Sequence, residues 1–157
     1  MMLTAVIAVV VAWSCRSLAA TQCPHGWIAY QSSCYGFGSD NVTWAEAQMF
    51  CMLFGSNLAE IETPEENEFL KSIARNRNYA SLWVGGTDEF SEGFWTWSGS
   101  QEPIEFRDWH VGEPSSSHGG ENCLVLLRIE NYQWNDELCK VATKFVCELS
   151  ADEEIIG

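Results

Sequence analysis

Basic residues are scarce in this chain. Lysine and arginine together number 8, against 22 aspartate and glutamate residues, and the formal net charge is −14 at pH 7. A protein with this charge repels the phosphate backbone of nucleic acids and attracts cations or mineral surfaces. The composition therefore argues against nucleic acid as a partner.

An apolar run long enough to span a membrane is also lacking. The N-terminal apolar stretch, residues 3–13, falls well short of the roughly 20 residues that a bilayer requires. Small residues follow it, among them Ala19 and Ala20, as at the end of a secretory signal. We therefore predict a signal peptide over residues 1–20, cleaved after Ala19 or Ala20, a secreted extracellular protein and no membrane anchor.

Zinc-binding histidines and a catalytic pair are not evident either. His25, His110 and His118 lack the spacing of a zinc site. Glu113 and Glu121 match the two acids of a glycoside hydrolase only in residue type, because nothing beside them indicates an apolar pocket that would raise the pKa of one. We predict no enzymatic activity and no catalytic residues.

Cysteine, in contrast, is plentiful. The chain has seven cysteines, and Cys15 is removed with the predicted signal peptide, which leaves six in the mature protein. Six cysteines in an oxidising compartment indicate three disulfides, although spacing alone leaves their pairing open. No cysteine remains for a covalent bond to another chain, so any homo-oligomer is expected to be non-covalent.

The densest group of oxygen-bearing side chains lies between residues 113 and 136. It contains three carboxylates, an amide and a hydroxyl: Glu113, Glu121, Asp136, Asn135 and Ser115. Oxygen donors of this kind are preferred by Ca²⁺ rather than by zinc. Acidic groups that lie together repel one another unless a cation compensates them. Spacing alone therefore leaves two interpretations open, a calcium site and an acidic surface loop.

Two capping signals predict helices. Thr43 and Glu46 form the pattern of a capping box ahead of a helix over residues 44–54. The Thr-Pro-Glu-Glu sequence of residues 63–66 predicts a second helix through about Ile73, with the last glutamate closing another box. The buried face of the first helix is predicted to hold Trp44, Ala47, Cys51 and Phe54.

Strand patterns dominate the rest of the chain. A short hairpin is predicted over residues 23–37, and further strands at 82–86, 94–97, 123–128 and 144–148. Core positions are predicted for three tryptophans of these strands, Trp83, Trp95 and Trp97. The order of elements predicts a single α+β domain. Residues 87–120 have few secondary-structure signals, which is typical of a functional or a disordered loop.

The chain resembles the C-type lectin-like carbohydrate-recognition domain in its long form. The resemblance rests on Glu113-Pro114-Ser115, Glu121-Asn122-Cys123 and Trp134-Asn135-Asp136, followed by Cys139 and Cys147. It covers nearly the whole mature chain and extends to small secreted invertebrate lectins, including the perlucin type. It implies a lectin-like domain over residues 21–149, with two helices, small antiparallel sheets and a long calcium- and sugar-binding loop. Residues 150–157 would form an acidic tail.

The same resemblance implies the cysteine pairing. In the long form of the family the pairs correspond to Cys23–Cys34, Cys51–Cys147 and Cys123–Cys139.

The resemblance also implies the ligands of two calcium positions. The first would be held by Glu113, Ser115, Glu121, Asn135 and Asp136, which would also bind the sugar. A second position matches Asp88, Glu92 and Glu121, with Asn122 adjoining. We expect it to be weak or empty, because serine and asparagine stand at two of its usual acidic positions.

The first triplet implies the sugar preference. In this family Glu-Pro-Asn accompanies mannose, glucose or fucose, and Gln-Pro-Asp accompanies galactose. Glu113-Pro114-Ser115 is neither, so we expect a mannose-type preference with relaxed specificity. Pro114 is expected to follow a cis peptide bond, which is inexpensive only before proline.

These features predict a secreted calcium-dependent lectin that recognises self or microbial glycans, with a role in innate immunity. Two alternatives remain open: an acidic matrix protein that binds calcium carbonate, and a calcium-independent protein-binding member of the fold. Asn41-Val42-Thr43 is an N-glycosylation sequon. Its occupancy is left open, because Thr43 is also the predicted helix cap.

Overall fold

The computed structural model of the protein describes residues 23–117 and 119–150. The predicted signal peptide, His118 and residues 151–157 of the predicted tail lie outside the described residues. The described part contains two α-helices and eight strands. The strands are β1 (Ile28–Tyr30), β2 (Ser33–Phe37), β3 (Asn57–Leu58), β4 (Ser81–Thr87), β5 (Thr96–Trp97), β6 (Cys123–Leu127), β7 (Gln133–Glu137) and β8 (Lys144–Ser150), and the helices are α1 (Trp44–Leu53) and α2 (Pro64–Asn76).

Helix α1 begins as its capping box predicts. The Thr43 hydroxyl accepts from the Glu46 amide, and the Glu46 carboxylate accepts from the Thr43 amide at 2.9 Å. The prediction that Phe54 lies in the core is wrong, because the helix ends at Leu53 and the Phe54 side chain is 51% exposed. The other three predicted core positions are buried.

Helix α2 also begins where predicted, with the Thr63 hydroxyl accepting from the Glu66 amide at 3.2 Å. The second half of the predicted capping box is wrong, because the Glu66 carboxylate turns to other donors. It accepts from the Tyr35 hydroxyl at 2.7 Å and from the Glu62 amide at 3.0 Å. Glu66 therefore ties α2 to strand β2 of the sheet.

The strands form one mixed sheet in place of the expected small antiparallel ones. Its order is β1-β2-β8-β4-β6-β7, with β3 paired to β8 and β5 paired to β4. All pairs are antiparallel except β4 and β8, which run parallel near the middle. The strand predicted at 94–97 is limited to Thr96–Trp97. Strand β7, which holds Trp134-Asn135-Asp136, was not predicted because its polar residues do not resemble a strand.

Three disulfides join the elements, and their pairing confirms the one implied by the resemblance. They connect Cys23 to Cys34, Cys51 to Cys147 and Cys123 to Cys139. The Cys51–Cys147 bridge ties α1 to β8 across a sequence separation of 96 residues. Loop-closure entropy for a separation of this size corresponds to about 4–5 kcal/mol in the chain-entropy model.

Aromatic side chains fill the core beneath the long loop. Trp83, Trp95 and Trp97 are buried, as predicted. Trp109 meets Trp95 edge-on with ring centroids 4.8 Å apart, and it meets Trp134 at 5.7 Å. These contacts give the long loop a fixed base. Neither helix among the described residues is long and apolar enough to cross a membrane.

Candidate cation and sugar site

The long loop between β4 and β6 returns alongside strand β7. The His110 amide donates to the Trp134 carbonyl, and the Trp134 amide donates to the Asp108 carbonyl, each at 2.9 Å. These two bonds place residues 108–110 parallel to Trp134. The Glu-Pro-Ser triplet, a few residues later, therefore lies next to Asn135 and Asp136.

A buried polar network fixes this segment to helix α2. Lys71 donates to the Asp108 carboxylate at 2.7 Å, and the Asn67 side-chain amide donates to the same oxygen at 2.7 Å. Asn67 also accepts from the Trp134 indole at 2.9 Å. Sequence reasoning missed Asp108 as a loop anchor. The available signal was an asparagine and a lysine four residues apart on the buried face of α2.

Asp136 is the centre of the site. Its side chain is buried, with the residue 1% exposed, and its two carboxylate oxygens accept from the Ser115 amide at 3.0 Å and the Ser116 amide at 2.6 Å. Glu113 and Pro114 are joined by a cis peptide bond, as the resemblance implies. The structure thus brings two of the three predicted motifs into direct contact.

Glu113 lies beside Asp136 with its charge poorly compensated. Its Oε2 atom is buried and has no hydrogen-bond partner. Burial raises the pKa of Glu113, and the neighbouring Asp136 carboxylate raises it further, although the Ser115 side chain opposes this shift. Two carboxylates in contact are stable only with a proton or a cation between them.

The remaining predicted ligands lie at the edge of this contact. Glu121 is buried just before β6, and its carboxylate accepts from the Ser117 hydroxyl at 3.1 Å. Asn135 is half-buried in β7, and its side-chain amide donates to the Asp136 carbonyl. Within residues 23–117 and 119–150, no three histidine, cysteine or acidic side chains form a ready metal cluster. The acidic groups that the sequence grouped together are therefore not all in contact.

The second predicted position contains a buried acid with a free oxygen. Asp88 is 4% exposed, and its Oδ2 accepts from the Gly93 amide at 2.8 Å while Oδ1 has no partner. The Asn122 Oδ1 atom is likewise buried without a partner, and the Asn122 carbonyl accepts from the Asp88 amide at 3.3 Å. Burial raises the pKa of Asp88, and the charges of Glu92 and Asp136 add to the shift.

These unpartnered oxygens test whether the residues fit a calcium ion. In the part of the chain that the structure describes, five buried side-chain polar atoms lack a hydrogen-bond partner. Three of them are oxygens of predicted cation ligands, namely Asp88, Glu113 and Asn122. A buried oxygen without a donor is costly unless a cation or water satisfies it. The donor chemistry and the unsatisfied atoms both fit Ca²⁺.

Comparison with known proteins gives a consistent result for the family. The model for the lectin C-type domain matches residues 40–149 of this chain. Perlucin from Haliotis laevigata is 36% identical over 128 residues, which cover 80% of this chain and 82% of perlucin. Ladderlectin from Oncorhynchus mykiss is 33% identical over 120 residues and 75% of this chain, but this chain spans only 63% of ladderlectin.

A solved structure has a similar fold. It is the cow C-type carbohydrate-recognition domain of CD23, determined in the presence of a GlcNAc2Man3 oligosaccharide. It superposes with a TM-score of 0.76 at 33% sequence identity, covering 83% of this chain and 98% of that one.

Proposed function

The chain belongs to the C-type lectin domain family, and from this premise we propose that it is a secreted, calcium-dependent carbohydrate-binding protein. The lectin domain would extend over residues 21–149. The observation that carries the proposal is the contact of Asp136 with the amides of Ser115 and Ser116, beside the unpartnered buried oxygen of Glu113. A cation at this point would satisfy both acids.

The proposed primary ligands are those of the three motifs: Glu113, Ser115, Glu121, Asn135 and Asp136. When bound, Ca²⁺ would offer coordination positions that two neighbouring sugar hydroxyls can occupy in place of water. The protein would orient these hydroxyls, since each donates to a carboxylate and accepts from an amide N–H. Asn135 is the only one of the five with a side-chain amide.

A second, weaker position is proposed at Asp88, Glu92 and Asn122. The unpartnered Asp88 and Asn122 oxygens support an ion there, because both are buried oxygen donors. The charge of Asp136 adds to the rise in the pKa of Asp88, which supports proposing the two positions as neighbours. An ion at the second position would then help to hold the loop that supplies the first.

For the sugar we propose a mannose-type preference with relaxed specificity. Glu113 supports the mannose type, and the related CD23 domain was determined with a mannose-containing oligosaccharide. Ser115 supplies no side-chain amide, so one sugar hydroxyl lacks a donor that this family often provides. Recognition of self or microbial glycans, including a role in innate immunity, would follow from this site.

The proposal is tested by glycan-array binding with calcium and with chelator. We expect binding to mannose-terminated glycans that is lost in chelator and falls at least about 100-fold in Asp136→Asn, which removes one ligand charge at constant shape. Asp40→Asn is the matched control, because Asp40 is an exposed aspartate outside the loop. Binding that survives chelator, or that Asp136→Asn leaves intact in a folded protein, would refute the proposal.

A second candidate function is binding to a calcium carbonate surface, which the net charge of −14 favours. Competition distinguishes the two functions. Free monosaccharide should release the protein from a glycan and leave it on mineral.

The proposal also includes secretion of the chain and leaves the glycosylation of Asn41 to be measured. Asn41 is exposed, and the Thr43 hydroxyl of its sequon is engaged with Glu46 at 2.8 Å. Mass spectrometry of the secreted chain, before and after glycosidase treatment, would give both the cleavage position and the occupancy of Asn41.

A further inference from the structure

Helix α1 lacks the polar outer face that a surface helix normally has. Its C-terminal half and the capping residue that follows it expose five large apolar side chains, between 43% and 83% of each. We call this group the α1 apolar face: Met49, Phe50, Met52, Leu53 and Phe54. Such helices are ordinarily polar on the side that faces water. Here the buried side and the exposed side are both apolar.

The aromatic side chains of the α1 apolar face contact each other and pack against the core. The rings of Phe50 and Phe54 lie 5.2 Å apart by centroid. Phe50 meets the core residue Phe145 edge-on at 5.1 Å, and Phe54 meets Trp27 at 6.1 Å. The disulfide at Cys51 fixes the same helix turn to β8. The face is therefore held in place before any partner binds.

Charge is absent from this part of an otherwise acidic chain. No Asp, Glu, Lys or Arg occurs between Glu46 and Glu60, whereas the whole chain has a net charge of −14. Two copies that meet through most other surfaces repel each other. The same net charge disfavours an anionic membrane, and a strongly basic partner would find no opposite charge on the face itself.

The size of the face suits one half of a protein interface. A fully exposed side chain of this kind offers on the order of 150–200 Å², so the face presents roughly 500 Å² of apolar surface. The largest apolar patch on a typical single soluble chain is about 300–600 Å² and is often functional, and this face has that size. A specific interface buries about 800 Å² on each partner. The face thus supplies more than half of what a dimer needs.

We propose that a second copy of this chain covers the α1 apolar face, with α1 of one protomer packed against α1 of the other across a twofold axis. A twofold axis requires one patch that is complementary to itself, and an uncharged apolar helix meets that condition. If the proposed sugar site is correct, the dimer would hold two weak sites together and raise the avidity for a multivalent glycan surface.

The test is the oligomeric state of the full chain secreted from a eukaryotic host. Sedimentation velocity from low to high micromolar concentration should show a monomer–dimer equilibrium. Leu53→Lys places a charge in the middle of the face and should weaken the dimer by at least about tenfold. It also lowers the net negative charge, so a loss of dimer could not be due to greater overall repulsion. Ile129→Lys, at a position 88% exposed and outside α1, is the matched control and should leave the dimer intact.

Two further measurements keep the proposal open to refutation. Leu53→Gln adds no charge and should weaken the dimer by a smaller factor, and thermal melting should show that all three variants are folded. Added salt should tighten the wild-type dimer, because it screens the repulsion between two acidic chains.

Several results would overturn the proposal. These are a wild-type chain that stays monomeric at high micromolar concentration, a dimer that Leu53→Lys does not weaken, and an equal loss in Ile129→Lys. A monomer that binds neutral phosphatidylcholine vesicles through Leu53 would assign the face to lipid instead. N-terminal sequencing could also show that the monomer still carries residues 1–20. If that chain dimerised once the segment was removed, the segment and not a second copy would be what covers the α1 apolar face in the uncleaved chain.

Discussion

Two acidic clusters in this molecule satisfy their carboxylates in different ways. In the cluster formed by Tyr35, Glu66 and Glu148, each carboxylate oxygen has a donor within the protein, with the single Tyr35 hydroxyl proton shared between Glu66 and Glu148. The other cluster consists of the proposed ligands of both calcium positions, and we call it the loop cluster. There the buried oxygens of Asp88 and Glu113 include atoms with no hydrogen-bond donor. The difference supports the proposal that the loop cluster, and not the first cluster, binds an external cation.

The hydrogen-bond donors of the first cluster come from different elements, so the cluster connects those elements to one another. The Tyr35 hydroxyl lies 2.7 Å from Glu66 and 3.2 Å from Glu148, so strand β2 is connected to both α2 and β8. The amides of Glu60 and Glu62 donate to the two carboxylates. A cluster that uses main-chain donors in this way can form only when the surrounding elements have folded.

The largest expected effect concerns the pH dependence of stability through Glu66. Burial, with the nearby charge of Glu148, raises the pKa of Glu66 from 4.5 to about 7. Between these values the folded protein keeps a proton that the unfolded chain has released. The contribution of Glu66 to the free energy of unfolding is therefore fully present below about pH 4.5. It is lost as the pH rises to about 7 and does not change above that. The loss should be roughly 2–3 kcal/mol.

Urea unfolding in chelator, measured from pH 4.5 to 8, would test this prediction. Glu66→Gln, which resembles the protonated acid, should flatten the dependence. Glu65→Gln is the matched control, since Glu65 is the exposed neighbour on the same helix. Glu66→Gln should also leave sugar binding unchanged, and a loss of sugar binding in a folded Glu66→Gln protein would contradict the separation of the two clusters.

How far the sequence predicted each region depends on how local its interactions are. The caps of α1 and α2 were predictable because Thr43 and Thr63 act on amides three residues away. The proposed loop ligands could be named as one set only through the resemblance, since the contacts that bring Ser115 and Ser116 to Asp136 join residues about twenty positions apart. Spacing indicated that these residues offer oxygen ligands. It did not indicate which residues of the Glu-Pro-Ser triplet would lie beside which residues of β7.

The features that sequence analysis missed depend on distant partners. Asp108 anchors the loop only because α2 presents Asn67 and Lys71 to it, 41 and 37 residues away. Glu66 was expected to cap its own helix, but its carboxylate instead accepts from the Tyr35 hydroxyl, 31 residues away, and from the Glu62 amide. Phe54 was placed in the core by helical periodicity, which does not reveal that the helix has already ended. For Asp108 and Glu66 the deciding contacts are tertiary, whereas for Phe54 the deciding feature is the end of the helix.

An intermediate effect is expected from Ser115→Asn, which would sharpen the definition of the loop cluster. Asparagine adds an amide donor and a carbonyl ligand where serine has only a short hydroxyl. A hydrogen bond to a charged or polarised group is worth roughly 1.5–3 kcal/mol, so mannose affinity should rise about tenfold or more. Galactose affinity should stay low.

Titration calorimetry of both sugars at saturating calcium would measure these affinities, on protein from a host without N-glycosylation because the substitution creates a sequon with Ser116 and Ser117. Ser100→Asn is a suitable control, because Ser100 is an exposed loop serine outside the triplet. An unchanged mannose affinity in Ser115→Asn would mean that residue 115 does not face the sugar, and the proposed ligand set would need to be redrawn.

The smallest effect on sugar binding is expected from Asp88→Asn, which tests whether the loop cluster holds one ion or two. The change removes the charge from a buried side chain whose Oδ1 has no donor, and it keeps an oxygen that can accept from the Gly93 amide. The weaker calcium ion should be lost, and sugar affinity should fall by only a few-fold, because Asp88 lies outside the proposed primary ligands. In chelator, the variant should be more stable than the wild type near neutral pH, since burial disfavours the Asp88 charge.

Calcium titration calorimetry and thermal melting with and without calcium would measure both changes, with the exposed neighbour variant Glu89→Gln as control. If Asp88→Asn bound as many calcium ions as the wild type, its unpartnered oxygen would have to be explained by ordered water, and the loop cluster would contain a single cation.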